Sequence, residues 1–114
     1  MSKPLGPYSP VVRSGDLLFC SGQVGAVDGA VVDGFDAQVR QAIENASAVL
    51  ASEGASLTDV VKVTAFLTSP EQFPRFNELY ADAFGESRPA RSTVVVAALP
   101  MGALFEIEVL ARVG

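Results

Sequence analysis

The chain has 114 residues, 49% of them hydrophobic, and a net charge of −5. That length suits a single domain spanning residues 1–114, and the apolar content excludes a disordered chain. The acidic balance and the scattering of the eight Lys and Arg residues argue against a nucleic-acid partner, and the apolar runs are too short to span a membrane.

Val11-Val12, a polar Arg13-Ser14-Gly15-Asp16 turn and Leu17-Leu18-Phe19-Cys20 read as a β-hairpin. Ser21–Gly25 is a glycine-marked exit. Asp28-Gly29, between Val27 and Ala30, predicts a tight turn, because Asp-Gly suits positive φ. From Phe35 the apolar period lengthens. Val39, Ile43, Ala46 and Leu50 fall at helical spacing, with Asp36 as the expected N-cap and Gly54 as the stop. Val60–Leu67 reads as a strand. Ser69-Pro70-Glu71-Gln72 resembles a capping box with proline at the first helical position. Pro74 would cost that helix a backbone bond, so the regular helix is expected from Phe73. Phe76, Leu79, Tyr80 and Phe84 supply its apolar face, and Gly85 ends it. Ser92–Ala98 and Leu104–Val113 are the last two strands.

The order β-β-α-β-α-β-β predicts an α+β fold, with a mixed sheet and both helices on one face. Val61, Val63 and Ala65 alternate with Val60, Thr64 and Phe66, and Val94 and Val96 with Val95 and Ala97. Such strands are apolar on both faces and expect cover on both. Two helices cover one, so the other cover is expected from a second subunit. In the last strand Phe105, Ile107, Val109 and Ala111 suit the helix side. Leu104, Glu106, Glu108, Leu110 and Arg112 then face the expected interface, where glutamates need partners.

Residue types narrow the chemistry. The chain has no histidine and one cysteine, Cys20. That removes the commonest general base and metal ligand, any internal disulfide and any cysteine-rich metal site. Cys20 is expected as a small buried hydrophobe. The lysines are Lys3 and Lys62, and Lys3 is near the terminus, which leaves Lys62 for any Schiff-base role. No apolar signal segment follows Met1-Ser2-Lys3-Pro4, which predicts a cytoplasmic protein. Chemistry must then rest on arginine, carboxylates, hydroxyls, backbone groups and water.

Pro89-Ala90-Arg91-Ser92-Thr93 sets one arginine at the mouth of an apolar strand, and Glu106 returns on the next. A guanidinium offers a rigid donor fork for a carboxylate, and a nearby glutamate can hold the fork or handle a proton. Arg91 fits a structural ion pair equally well. Glu106 and Glu108 share a face, so spacing does not choose between them. Tyr8 reads first as a packing ring. Ser21 and Gly22 read as a turn, the serine lacking a histidine to activate it. Asn77 reads as a brace for neighbouring backbone, and Phe76-Tyr80-Phe84 as core.

Taken together, Leu5-Gly6-Pro7-Tyr8-Ser9-Pro10, Phe19-Cys20-Ser21-Gly22-Gln23, Asn45 with the helix around it, Phe76-Asn77-Glu78-Leu79-Tyr80, Pro89-Ala90-Arg91-Ser92, Leu99-Pro100 and Glu106-Ile107-Glu108 resemble the Rid family. These are the reactive intermediate deaminases, also called YjgF-type proteins. The resemblance covers nearly the whole chain. It implies a chorismate-mutase-like fold, a homotrimer, and clefts between adjacent subunits. It implies hydrolysis of reactive 2-imino and 2-enamino acids to 2-keto acids and ammonia, without metal or organic cofactor. By that resemblance Arg91 holds the substrate carboxylate and Glu106 handles water or protons. Tyr8, Ser21, Gly22 and Asn77 match other cleft positions. Thr93 stands where many members have cysteine, at a position that contributes mainly through its backbone. The Gln23–Phe35 segment departs from many members and is given no role. A non-catalytic binder of small carboxylates would use the same cleft. An endoribonuclease role conflicts with the acidic balance and the absence of histidine, and chorismate-mutase activity would rest on fold alone.

Overall fold

A computed structural model describes residues 4–114; Met1–Lys3, and with them the start of the chain and Lys3, lie outside the described residues. The expected hairpin forms from β1 (Val11–Ser14) and β2 (Leu17–Cys20), with Val12 opposite Phe19. Next come three two-residue strands: β3 (Gln23–Val24), β4 (Ala26–Val27) and β5 (Ala30–Val31). Strands this short carry no readable period. The expected Asp28-Gly29 turn joins β4 to β5, with φ of 52° and 82°.

Helix α1 spans Phe35–Ala51 and buries Val39, Ala42, Ile43, Ala46, Val49 and Leu50. Its N-cap is Gly34, not Asp36. Gly34 has φ 93°, ψ 148°, a conformation that disfavours any side chain. Asp36 sits in the first turn, where its charge meets the positive end of the helix dipole. Its carboxylate accepts hydrogen bonds from Arg75, at 2.6 and 3.0 Å. Helix α2 spans Phe73–Phe84, starting at the expected residue after a short 3₁₀ turn at Pro70–Gln72. The Ser69 hydroxyl turns to the Glu71 carboxylate and caps no backbone group.

The long strands are β6 (Val60–Leu67), β7 (Ala90–Val95) and β8 (Phe105–Arg112). Sheet order is β1-β2-β8-β6-β7, with β3 also paired to β8. Only β6 and β7 run parallel, so the sheet is mixed as expected. β7 begins and ends earlier than the apolar run 92–98 suggested: it registers with β6 from Ala90, and β6 ends at Leu67, opposite Val95, where the Leu67 carbonyl accepts the last bond from Val96 N–H at 2.8 Å. Both helices touch Phe105, through Phe35 of α1 and Phe76 of α2, and so cover one face. Phe105, Ile107, Val109 and Ala111 are buried beneath them. A register shift between Val60 and Lys62 buries Val60 beside Val63 and leaves Val61 44% exposed. The simple alternation expected for that strand therefore fails at its first residues.

The other face is open. Val12, Phe19 and Val94 are 54%, 48% and 41% exposed. Phe66 lies between Glu106 and Val94 in the ladder. An uncovered sheet face with this content wants a partner.

Gly25, just after β3, passes close to α1. A Cβ there would lie 2.6 Å from Cα of Gln38. Backbone cannot yield as a side-chain tip can, so Gly25→Ala should lower unfolding stability by about 1–3 kcal/mol. Denaturant melts would show this, and an unchanged midpoint would contradict the close packing of β3 on α1.

Candidate functional site

Arg91 lies opposite Val63 in the parallel β6–β7 ladder. Val63 is in the core, so Arg91 also points to the helix face, at the sheet's edge strand. There it meets α2. Its guanidinium carbon is 4.7 Å from the Tyr80 ring centre, 4.9 Å from Phe76 and 5.8 Å from Phe73. Its Nη2 donates to Asn77 Oδ1 at 2.7 Å. Residues 73, 76, 77 and 80 follow helical spacing and present one stripe to the arginine. Among the described residues Arg91 has no ion pair. Asn77 thus braces a side chain where a backbone group was expected. The aromatic stripe does more than fill the core, and the i, i+4 placement of Phe76 and Tyr80 around Asn77 was the signal for it.

Thr93 shares that face, opposite Ala65. Its hydroxyl is buried with no hydrogen-bond partner, as are Tyr80 OH and Gln72 Oε1. Burial pushes the Tyr80 phenol above its ordinary pKa, while Arg91 and Arg88 pull it down.

Glu106 lies on the open face and is half-buried, opposite Phe66 on one side and Val24 on the other. Burial raises its pKa, and the like charge of Glu108 raises it further. Its carboxylate lies against Gly22: a Cβ at Gly22 would sit 3.0 Å from the carboxyl carbon and overlap an oxygen. Only glycine allows β3 to enter the sheet there without moving Glu106. Ser21 fastens the N-terminal segment: its hydroxyl donates to Ser9 O at 2.6 Å and its N–H to Pro10 O at 2.9 Å. Tyr8 is half-exposed, and its hydroxyl accepts from Leu5 N–H at 3.2 Å. Tyr8 and Gly22 line a cavity of about 360 Å³ with Pro10, Val24, Asn45 and Met101. Asn45 Nδ2 donates to Val24 O and Ala26 O, which ties α1 to the cavity wall.

Arg91 and Glu106 do not meet within one protomer. Their strands flank β6, where their partners are Val63 and Phe66, three residues apart. Strand spacing then puts them about 10 Å apart across the sheet and about 10 Å along it. They also point to opposite faces. The expectation that the glutamate could hold the arginine fork therefore fails within the chain. Arg91, Asn77 and Thr93 make one group; Glu106, Gly22, Ser21 and Tyr8 make another. Glu108 is exposed, opposite Thr64. Among the described residues, no three His, Cys, Asp or Glu side chains gather to hold a metal ion, and no helix is long and apolar enough to cross a membrane.

Residues 1–113 match the family model described as Endoribonuclease L-PSP. The chain belongs to the Rid (YjgF/RutC) family. A RutC family protein of Pyrococcus horikoshii is 46% identical over 96% of this chain and 89% of its own length. A protein of Dermatophagoides farinae named 2-iminobutanoate/2-iminopropanoate deaminase is 40% identical over 93% and 85%. The crystal structure of RidA from a Psychrobacter species superposes with TM-score 0.95 at 38% identity, covering 97% of this chain and 92% of that one. Escherichia coli TdcF, crystallised with bound serine, gives TM-score 0.92 at 34% identity, with 97% and 91% covered. The fold is thus the chorismate-mutase-like α+β fold of this family.

Cys20 is buried in β2, and burial, with the nearby charge of Glu53, pushes its thiol up to about 11. A protonated, buried thiol is a poor nucleophile. Cys20 in the native Rid protein should resist iodoacetamide at neutral pH and react only on unfolding. Rapid labelling of the folded protein, followed by mass spectrometry, would contradict that environment.

Proposed function

We propose that this Rid protein hydrolyses reactive 2-imino acids, and their 2-enamino tautomers, to 2-keto acids and ammonia. The observation that carries this reading is Arg91. Its guanidinium stands at a sheet edge, fixed only by neutral groups, with its charge unanswered by any described residue. That is a receptor for a carboxylate. The name of the Dermatophagoides relative supports imine chemistry, and bound serine in TdcF supports small amino-acid-like ligands in this fold.

In the proposed reaction Arg91 grips the carboxylate and Glu106 takes a proton from water. Oxygen attacks C2 of the protonated imine to give a carbinolamine. The nitrogen takes that proton from Glu106 and leaves as ammonia, Glu106 accepts the hydroxyl proton as the C2=O bond forms, and the proton passes to the departing ammonia as ammonium. Backbone groups near Ser21 and Thr93 hold the nitrogen and the water. The imine carbon is already electrophilic, so positioning supplies much of the acceleration. The reading includes a homotrimer whose adjacent subunits bring the Arg91 group of one against the Glu106 group of the next. The open apolar face around Phe19 and Val94 supports that assembly. A non-catalytic carboxylate binder is the second reading, favoured by the same bound serine.

The test generates imines in situ with an amino acid oxidase and a competing semicarbazide trap, on variants first verified as trimers by sedimentation equilibrium. Arg91→Ala should lose turnover and keto-acid binding together. Glu106→Gln should keep binding and lose roughly 10²-fold in turnover, the scale of general acid–base work. The pH profile follows from the raised Glu106 pKa. Glu106 acts ionised, so activity is present above its pKa and is lost as pH falls through it; burial and Glu108 move that limb up from an ordinary glutamate's, and a neighbour's Arg91 opposes them. Glu108→Gln removes a like charge and should move that acid limb to lower pH. Wild-type turnover by Glu106→Gln would end the proton-handling role. No acceleration over the trap across many imines would leave the binding reading.

A further inference from the structure

We propose that Asn77, Phe76 and Tyr80 form a neutral clamp that fixes the Arg91 guanidinium without neutralising it, reserving its charge for the carboxylate of a bound 2-imino or 2-keto acid. The inference rests on the reading of Arg91 as the carboxylate receptor, and it assigns these three as positioning residues.

Arg75 on α2 shows the contrast. Arg75, two residues before Asn77, is held by Asp36 at 2.6 Å and Glu78 at 3.5 Å. Both carboxylates are thereby spent on Arg75. On another side of α2, Arg91 of β7 receives an amide oxygen and two ring faces within 5 Å. The amide oxygen uses one of five guanidinium donors. Ring faces attract the cation through their quadrupole and use none. The guanidinium plane is thus held while its charge and most of its donors stay free. A carboxylate in place of Asn77 would hold it as firmly, but a ligand would then have to displace that carboxylate. The Tyr80 hydroxyl has no hydrogen-bond partner, so the ring alone belongs to the clamp.

The test measures affinity for 2-ketobutyrate by calorimetry on the trimeric protein. Tyr80→Phe keeps the ring and should bind within about twofold of wild type. Tyr80→Leu removes a π face and should bind about tenfold more weakly. Asn77→Ala loses the brace and should also weaken binding by about tenfold. Asn77→Asp is the decisive variant. It keeps the hydrogen bond and should melt no lower than wild type, yet bind roughly 100-fold more weakly, because its charge answers Arg91. A merely structural Asn77 would be replaced by Asp without loss. Wild-type affinity in Asn77→Asp, or in Tyr80→Leu, overturns the clamp. If Tyr80→Leu does not fold, the Asn77 pair decides. Imine turnover is recorded alongside. Arg91-dependent keto-acid binding without turnover removes the deaminase reading and leaves the clamp standing. No keto-acid binding by wild type removes both.

Discussion

A guanidinium held against aromatic rings, with no described carboxylate to answer it, constrains everything around it. Arg91 sits there because β7 registers it with the core residue Val63 of β6, which turns residue 91 toward the helix layer. The parallel pair needs a crossover, and α2 is that crossover. The helix that connects the two strands therefore supplies the rings and the amide that hold the arginine. Stacked Tyr80 and Phe84, with ring centres 4.3 Å apart, anchor the same helix in the core. Connectivity, core and candidate site come from one stretch of chain, so damage to the α2 packing reaches Arg91 directly.

The sheet imposes a second constraint. Side chains alternate across it, and Arg91 and Glu106 fall on opposite faces with β6 between them. No rotamer brings them together in one protomer. Glu106 is instead committed to the open face, half-buried and close against Gly22, with its pKa raised. Phe19, Phe66 and Val94 share that face. In the proposed trimer the cover over that face and the completion of the site are one event: burying the apolar residues brings Glu106 to the edge where a neighbour presents Arg91.

Much of this was legible in the sequence. Both helices, the buried row Phe105, Ile107, Val109 and Ala111, and the apolar open face follow from periodicity, and the mixed sheet from the order of the elements. The boundaries that failed have local causes. The N-cap moved from Asp36 to Gly34 because a positive-φ glycine serves there while Asp36 is engaged by Arg75. Val61 turned outward at a register shift that no alternation rule contains. The strands β3, β4 and β5 are too short to have a period. For the site, the sequence offers Arg91 and Glu106 as a pair without saying whether one chain holds both. Adjacent strands suggested an Arg91–Glu106 pair, and facing directions forbid it. Phe76 and Tyr80 read as core because burial and a π contact to a cation leave the same apolar signature.

In the proposed trimer a working site takes Arg91 from one subunit and Glu106 from another. Subunit mixing tests it directly. Arg91→Ala and Glu106→Gln proteins, each inactive alone, are unfolded together and refolded in equal amounts, and imine hydrolysis is measured. Random reassembly puts both intact residues in about a quarter of the clefts of a cyclic trimer, so about a quarter of wild-type specific activity should return. A mixture no more active than its separate components would show that the two residues act from the same chain, or do not act together.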